Sequence, residues 1–293
     1  MATEQRGGPE PDAERRRERI VAHPSYRPAD RDPDLLELDE LRPVRLVLEY
    51  LKPELALRDL GVQATIVVFG STRIREPGLA REGVERARAA LLARPGDREL
   101  ERRLRVAEQI LARSPAYEVA RELGRIVGRF GKGPPDGRLA IMTGGGPGLM
   151  EAANRGADET GARSAGLNIA LPREQSPNPY IAPELCFRFR YFAMRKMHFM
   201  LRARAFVAFP GGFGTFDELF ETLCLIQTGK REPLPVVLVG EEFWRRAFDA
   251  GFLAAEGMID PGDLELFRYA ESAEEIWRAI CGWYEERGLS VLP

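Results

Sequence analysis

The stretch Ala205-Phe206-Val207-Ala208-Phe209, continuing as Pro210-Gly211-Gly212-Phe213-Gly214-Thr215-Phe216-Asp217-Glu218, decides the fold. Five consecutive apolar residues mark a strand buried on both faces. A glycine-rich turn follows, and then Phe216, Leu219, Phe220, Leu223 and Ile226 recur at helical spacing. Working outward, the same order repeats. Apolar runs at 64–69, 139–142, 165–171 and 236–239, with a weaker one at 266–269, alternate with helical patterns over 78–92, 98–113, 117–130, 149–160, 189–202, 216–228 and 242–255. Strand–helix alternation on this scale predicts an α/β protein with a Rossmann-like, doubly wound parallel sheet flanked by helices.

Outside that core, residues 1–33 hold Pro, Gly and clustered charge with little apolar periodicity, so a loosely ordered arm is expected. Apolar positions between 35 and 60 predict one or two short helices. Together these give an N-terminal arm and helical extension (1–60) ahead of a nucleotide-binding domain (61–293). The charged stretch 94–113 is expected to be an inserted, exposed helix.

Composition removes several classes of function. With 43 basic against 45 acidic residues and a formal charge of −2, there is no bulk electrostatic grip for nucleic acid. No apolar run approaches the ~18 residues of a membrane span. The polar, Arg- and Glu-rich N-terminus has no apolar secretory core. Three scattered cysteines (Cys186, Cys224, Cys281) without a C-x-x-C point to a reduced, cytoplasmic setting. Two histidines, His23 and His198, cannot build a zinc site with them, so no metal is expected.

In doubly wound sheets ligands bind beyond the carboxyl ends of the strands. Three such junctions are glycine-rich: Gly70-Ser71-Thr72, Thr143-Gly144-Gly145-Gly146-Pro147-Gly148-Leu149-Met150 and Pro210-Gly211-Gly212-Phe213-Gly214-Thr215. The second and third open helices, whose N–H groups and dipole suit a phosphate. The dinucleotide fingerprint G-x-G-x-x-G fails in every register. The P-loop fails too, because neither Gly131-Lys132 nor Gly229-Lys230 has the required neighbours. A mononucleotide or sugar phosphate remains. Thr215-x-x-Glu218 also fits a capping box, which would occupy Glu218 structurally. Upstream, Met194, Met197 and Leu201 fall at core spacing, with Arg195 and Lys196 off that stripe; His198 is assigned no chemistry.

The strings Gly144-Gly145-Gly146-Pro147-Gly148-Leu149-Met150-Glu151-Ala152, Arg195-Lys196 and Pro210-Gly211-Gly212-Phe213-Gly214-Thr215-Phe216-Asp217-Glu218 together resemble the LOG family, over roughly residues 65–255. Gly70-Ser71, Gly166-Leu167-Asn168-Ile169 and Leu225-Ile226-Gln227-Thr228-Gly229-Lys230 fit its longer bacterial branch. Members hydrolyse nucleoside 5′-monophosphates, AMP or cytokinin riboside monophosphates among them, to free base and ribose 5-phosphate; many carry an older lysine decarboxylase label. The resemblance implies Arg195 and Glu218 as the catalytic pair. It implies phosphate binding by Gly211, Gly212, Gly214 and Thr215. Gly144, Gly145 and Gly146 would border the ribose or phosphate, with Ser71, Met150 and Lys196 near the nucleotide. It further implies no cofactor, and a homodimer or larger assembly with active sites close to the subunit contact.

These residue types suit the reaction. Cleaving an N-glycosidic bond develops oxocarbenium character at C1′; a carboxylate close by stabilises that charge or takes a proton from the attacking water, and Glu218 suits either role. A forked, permanent cation at Arg195 would clamp phosphate or sugar hydroxyls and hold Glu218 ionised. Asp217 is a weak candidate for protonating the leaving base. A non-hydrolytic nucleotide-binding or carrier protein would use the same glycines and yield no product. A pyridoxal phosphate decarboxylase would need a Schiff-base lysine, and only Lys196 lies near the site.

Overall fold

The computed structural model describes residues 11–131, 138–172 and 176–292. Lys132, weighed above in the P-loop comparison, lies outside them, as do the first ten residues of the N-terminal arm. The chain divides into two units, residues 1–49 and 50–293.

The first unit is more regular than expected. The arm forms helix α1 (Pro11–Ala22), two short 3-10 turns and helix α2 (Pro33–Glu37), before α3 (Arg42–Asp59) begins. Helix α1 lacks an apolar stripe and carries ion pairs such as Arg16–Asp12 at 3.0 Å, so periodicity could not reveal it. Asp32 caps α2 by accepting from the N–H groups of Asp34 and Leu35.

The second unit is built on seven parallel strands: β1 (Ala64–Phe69), β2 (Leu139–Thr143), β3 (Ala165–Ile169), β4 (Cys186–Phe189), β5 (Ala203–Ala208), β6 (Val236–Val239) and β7 (Phe267–Ala270). Their order is β4-β3-β2-β1-β5-β6-β7, so the winding reverses between β1 and β5. Parallel crossovers place helices on both faces. Alternate residues of β1 accordingly feed two cores: Ile66 and Val68 pack with Leu123, Ile141 and Ile276, while Val67 and Phe69 pack with Phe199, Phe206 and Trp244. Strand β4 was not expected. It is a four-residue edge strand in which buried Phe187 and Phe189 flank exposed Arg188, and a helical pattern read from 189 overlapped it.

The helices are α4 (Pro77–Ala93), α5 (Arg98–Arg113), α6 (Pro115–Gly131), α7 (Leu149–Asp158), α8 (Phe192–Leu201), α9 (Phe213–Gln227), α10 (Glu241–Ala247), α11 (Ala250–Ala255) and α12 (Ala273–Glu285). The continuous helix expected over 242–255 is two, because Phe248 is extended and Asp249 caps a new start on Phe252. Helices α6 and α7 cross with backbones in contact: a Cβ at Gly156 would lie 1.8 Å from the Arg121 carbonyl oxygen. Helix α8 corrects the expected Met194, Met197 and Leu201 stripe. Met197 and Leu201 are exposed, and Arg195, His198, Phe199 and Met200 face inward. The stripe was read from hydrophobicity alone; the ring of His198, between Tyr50 and Phe189 at 5.6 and 5.4 Å, takes the interior place instead. Among the described residues, no helix is long and apolar enough to cross a membrane.

Candidate active site

The three glycine-rich junctions meet where the winding reverses. Ser71 joins the other two: its N–H donates to the Pro210 carbonyl (2.9 Å), and its carbonyl accepts from the Leu149 N–H (3.1 Å). Above them opens a cavity of about 750 Å³, of the size that holds a nucleotide-class ligand. Its floor is Gly70, Ser71 and the turn Gly211–Thr215; Met150, Arg195 and Glu218 line its inner wall.

The third junction does not form the expected capping box. Helix α9 begins at Phe213 with Gly212 as N-cap, so Thr215 stands inside the first turn and no side chain caps the helix. Thr215 folds back on the turn instead, and a Cβ at Gly211 would meet its hydroxyl at 2.1 Å. A Cβ at Gly212 or Gly214 would meet nothing within 4 Å. Protein packing therefore does not demand glycine at these two positions, and the start of α9 is left open to the cavity. Phe213, between them, is 96% exposed at the cavity rim.

The second junction does need its glycines. Gly145 and Gly148 have φ of +73° and +76°, and a Cβ at Gly145 would lie 2.1 Å from Asn168 Oδ1. Sequence reasoning missed what holds this loop. Fully buried Asn154 accepts from Thr143 Oγ1 (2.8 Å) and from Asn178 Nδ2 (3.0 Å), and donates to Ser164 Oγ (2.9 Å). Asn178 in turn donates to the carbonyls of Gly145 and Gly146. An asparagine inside an otherwise apolar helix pattern (Ala152, Ala153, Ala157) was the available signal. Gly144 does not line the cavity but backs Arg195: a Cβ there would meet Arg195 Nη2 at 2.8 Å and Met150 Sδ at 3.1 Å. Gly145 and Gly146 likewise lie behind the lining.

Arg195 and Glu218 share the cavity wall, 9% and 5% exposed, yet among the described residues they close no salt bridge with each other. Nε of Arg195 is buried without a hydrogen-bond partner. A buried, unsatisfied guanidinium N–H costs about 1–3 kcal/mol, a debt that a bound ligand can cancel. Burial pushes the Glu218 carboxyl up to about 7, although Arg195 and then Lys196 oppose the rise. The expectation that Arg195 simply holds Glu218 ionised is thus corrected: desolvation outweighs attraction. Burial also lowers the Arg195 guanidinium, against the pull of Glu218 and Asp217.

Lys196 points elsewhere. Its ammonium binds Asp217 (2.7 Å) and Glu221 (3.0 Å), and it is not among the residues lining the main cavity. Burial works to lower its pKa, but those hydrogen bonds prevail and raise it. A lysine held protonated in this way is a poor Schiff-base nucleophile. The same ion pair engages Asp217, which also lines the cavity. The inserted helix α5 also departs from expectation. It is not a detached, solvated element, since Arg105, Val106, Gln109, Ile110 and Arg113 form one side of the cavity.

A glycine turn opening a helix, a buried acid and a buried cation meet at the reversal point of a doubly wound parallel sheet, and this defines an α/β protein with a cavity beyond the carboxyl ends of its central strands. Two comparisons sharpen this. A family model described as "Possible lysine decarboxylase" matches residues 150–280. The chain is 30% identical to the cytokinin riboside 5′-monophosphate phosphoribohydrolase LOG7 of Arabidopsis thaliana over 176 residues, 53% of this chain and 78% of that protein. It is also 30% identical to the probable phosphoribohydrolase LOG4 of Oryza sativa subsp. japonica over 154 residues, half of this chain and 64% of that one. The chain belongs to the LOG family. Among solved structures, a molybdenum cofactor binding protein of Rippkaea orientalis is similar (19% identity, TM-score 0.41, 57% of this chain and 87% of that one). So is the Moco carrier protein of Chlamydomonas reinhardtii (17%, 0.42, 76% and 99%).

Proposed function

We propose that the protein hydrolyses the N-glycosidic bond of nucleoside 5′-monophosphates, of the AMP or cytokinin riboside type, giving free base and ribose 5-phosphate. One observation carries this: Glu218 and Arg195 are buried on one cavity wall, unpaired with each other, beside the open turn at Gly212 and Gly214. In this mechanism the phosphate sits on the N–H groups of α9 and its binding energy fixes the ribose. Arg195, with an N–H to spare, holds phosphate or sugar hydroxyls. Ionised Glu218 faces C1′, stabilises the positive charge as the bond to the base lengthens, and takes a proton from the attacking water. A carboxyl with a pKa of about 7 is close to the optimum for that exchange at neutral pH.

A carrier would need the phosphate turn but gains nothing from a desolvated carboxyl, whose charge, once ionised, opposes an anionic ligand. Incubation with AMP and isopentenyladenosine monophosphate should release free base, detected chromatographically. Glu218→Gln should abolish release while keeping AMP binding. A folded protein that binds AMP and releases no base from any nucleoside monophosphate overturns hydrolysis in favour of the carrier. Assembly as a homodimer belongs to the same proposal, and light scattering that shows a monomer at assay concentration removes it.

A further inference from the structure

Helix α5 presents one continuous stripe to the cavity: Arg102, Arg105 and Val106, Gln109 and Ile110, then Arg113, at helical spacing along three turns. The cations on this wall differ in what they already hold. Arg102 is tied to Glu99 through Nε and Nη2, both at 2.8 Å. Arg113 lies over the Phe243 ring at 5.1 Å. Arg105 has no hydrogen bond or ion pair with any described residue, although Glu101 stands four residues before it. Glu-to-Arg at that spacing and in that order is the favourable intrahelical pair. Its side chain lines the cavity instead. Arg73 of the loop after β1 also lines the cavity and has no side-chain partner among the described residues. That loop is bound to the phosphate turn through the Ser71 N–H and the Pro210 carbonyl.

Two unengaged guanidinium groups therefore line the same cavity as a glycine turn whose own donors are backbone N–H groups. A phosphate monoester is a dianion near neutral pH, and backbone dipoles neutralise only part of that charge. We infer that Arg105 and Arg73 form a charge clamp for the 5′-phosphate of the ligand, so that the inserted helix is a binding element rather than a surface decoration. This rests on the phosphate position in the function proposed above, but not on hydrolysis. Forked guanidinium groups bind phosphate oxygens in charge-assisted pairs. Here they close the side of the phosphate that the turn leaves open. Val106 and Ile110, further along the stripe, then meet the rest of the ligand with apolar surface.

The test uses the full chain carrying Glu218→Gln, so that binding is read without turnover. Titration calorimetry follows ribose 5-phosphate and AMP, with adenosine and inorganic phosphate as further probes. Arg105→Ala and Arg73→Ala should each weaken ribose 5-phosphate and AMP by about 10-fold or more, as loss of a charge-assisted pair predicts. Inorganic phosphate should weaken in parallel, while any binding of adenosine stays unchanged. Arg102→Ala, on the same stripe but paired to Glu99, should cost less than about 3-fold, well below one charge-assisted bond. In the otherwise unaltered enzyme, the two variants should raise KM for nucleoside monophosphates and leave kcat nearly as it was. The inference is overturned if the double variant binds ribose 5-phosphate as tightly as its parent, if Arg102→Ala costs as much as Arg105→Ala, or if the parent binds no phosphorylated probe. Arginine-dependent binding without base release would keep the clamp and remove only the hydrolase.

Discussion

Glu218→Gln should make the protein more stable, and more so at higher pH. The carboxyl ionises near 4.5 when solvated and at about 7 in the folded chain, because burial opposes its charge. Between those values the unfolded chain has released its proton and the folded one has not. The folded state binds more protons, so stability falls as pH rises through that window and the loss is complete above about 7. At 1.36 kcal/mol per pH unit, the rise from 4.5 to about 7 corresponds to about 3 kcal/mol. Glutamine occupies nearly the same volume and never ionises, so the variant escapes this penalty. Thermal unfolding of both proteins in matched buffers reads the difference. At about 2–4 °C per kcal/mol, the variant should melt roughly 6–12 °C higher at pH 8, and within about 3 °C of its parent at pH 5. An increment that is equal at both pH values, or a variant less stable at pH 8, would refute a desolvated Glu218. The site would then lose its acid–base group.

Three further outcomes are expected from the same cavity and the loops that build it. The rate at low substrate should rise with pH toward a plateau above about 7 as Glu218 ionises; a flat profile between pH 6 and 8 contradicts a carboxylate role. Gly212→Ala meets empty space at a φ of −102°, so its melting temperature should hold while AMP affinity falls at least 10-fold, by calorimetry, as the methyl displaces phosphate. Asn154→Ala strips the partners of Thr143, Asn178 and Ser164 and should cost about 2–4 kcal/mol in chemical denaturation, with a raised KM as the Gly144–Gly146 loop loosens. An unchanged denaturation midpoint would show that the network bears no load.

How much of this was legible depends on which force fixed each element. Parallel strands buried on both faces leave continuous apolar runs, so six of the seven were readable, and two of the glycine junctions marked residues that line the main cavity. Edge strand β4 alternates over only four residues and was absorbed into the helix beyond it. Arg195 and Glu218 could be picked out, but not their environment. Thr215-x-x-Glu218 has the spacing of a capping box, and only the start of α9 at Phe213 shows that the box does not form. Asn154 and Asn178 act across 24 residues, a distance no local pattern spans. The placement of α5 is a tertiary fact: its charge pattern is that of any solvated helix, and nothing in 98–113 says which face meets a cavity.

Because α5 enters the chain between the first strand and the helix that returns to the sheet, it lies outside the strand ladder altogether. The acid, the cation and the glycine turn lie around the carboxyl ends of the central strands, whereas one side of the opening, with its arginines, is supplied by a helix of the hairpin grafted beside them. Exchanging residues 77–113 for a shorter connection could retune which nucleotides are admitted while leaving the reacting centre in place. On the proposed function, making the cut and choosing what is cut would then fall to separable pieces of one polypeptide.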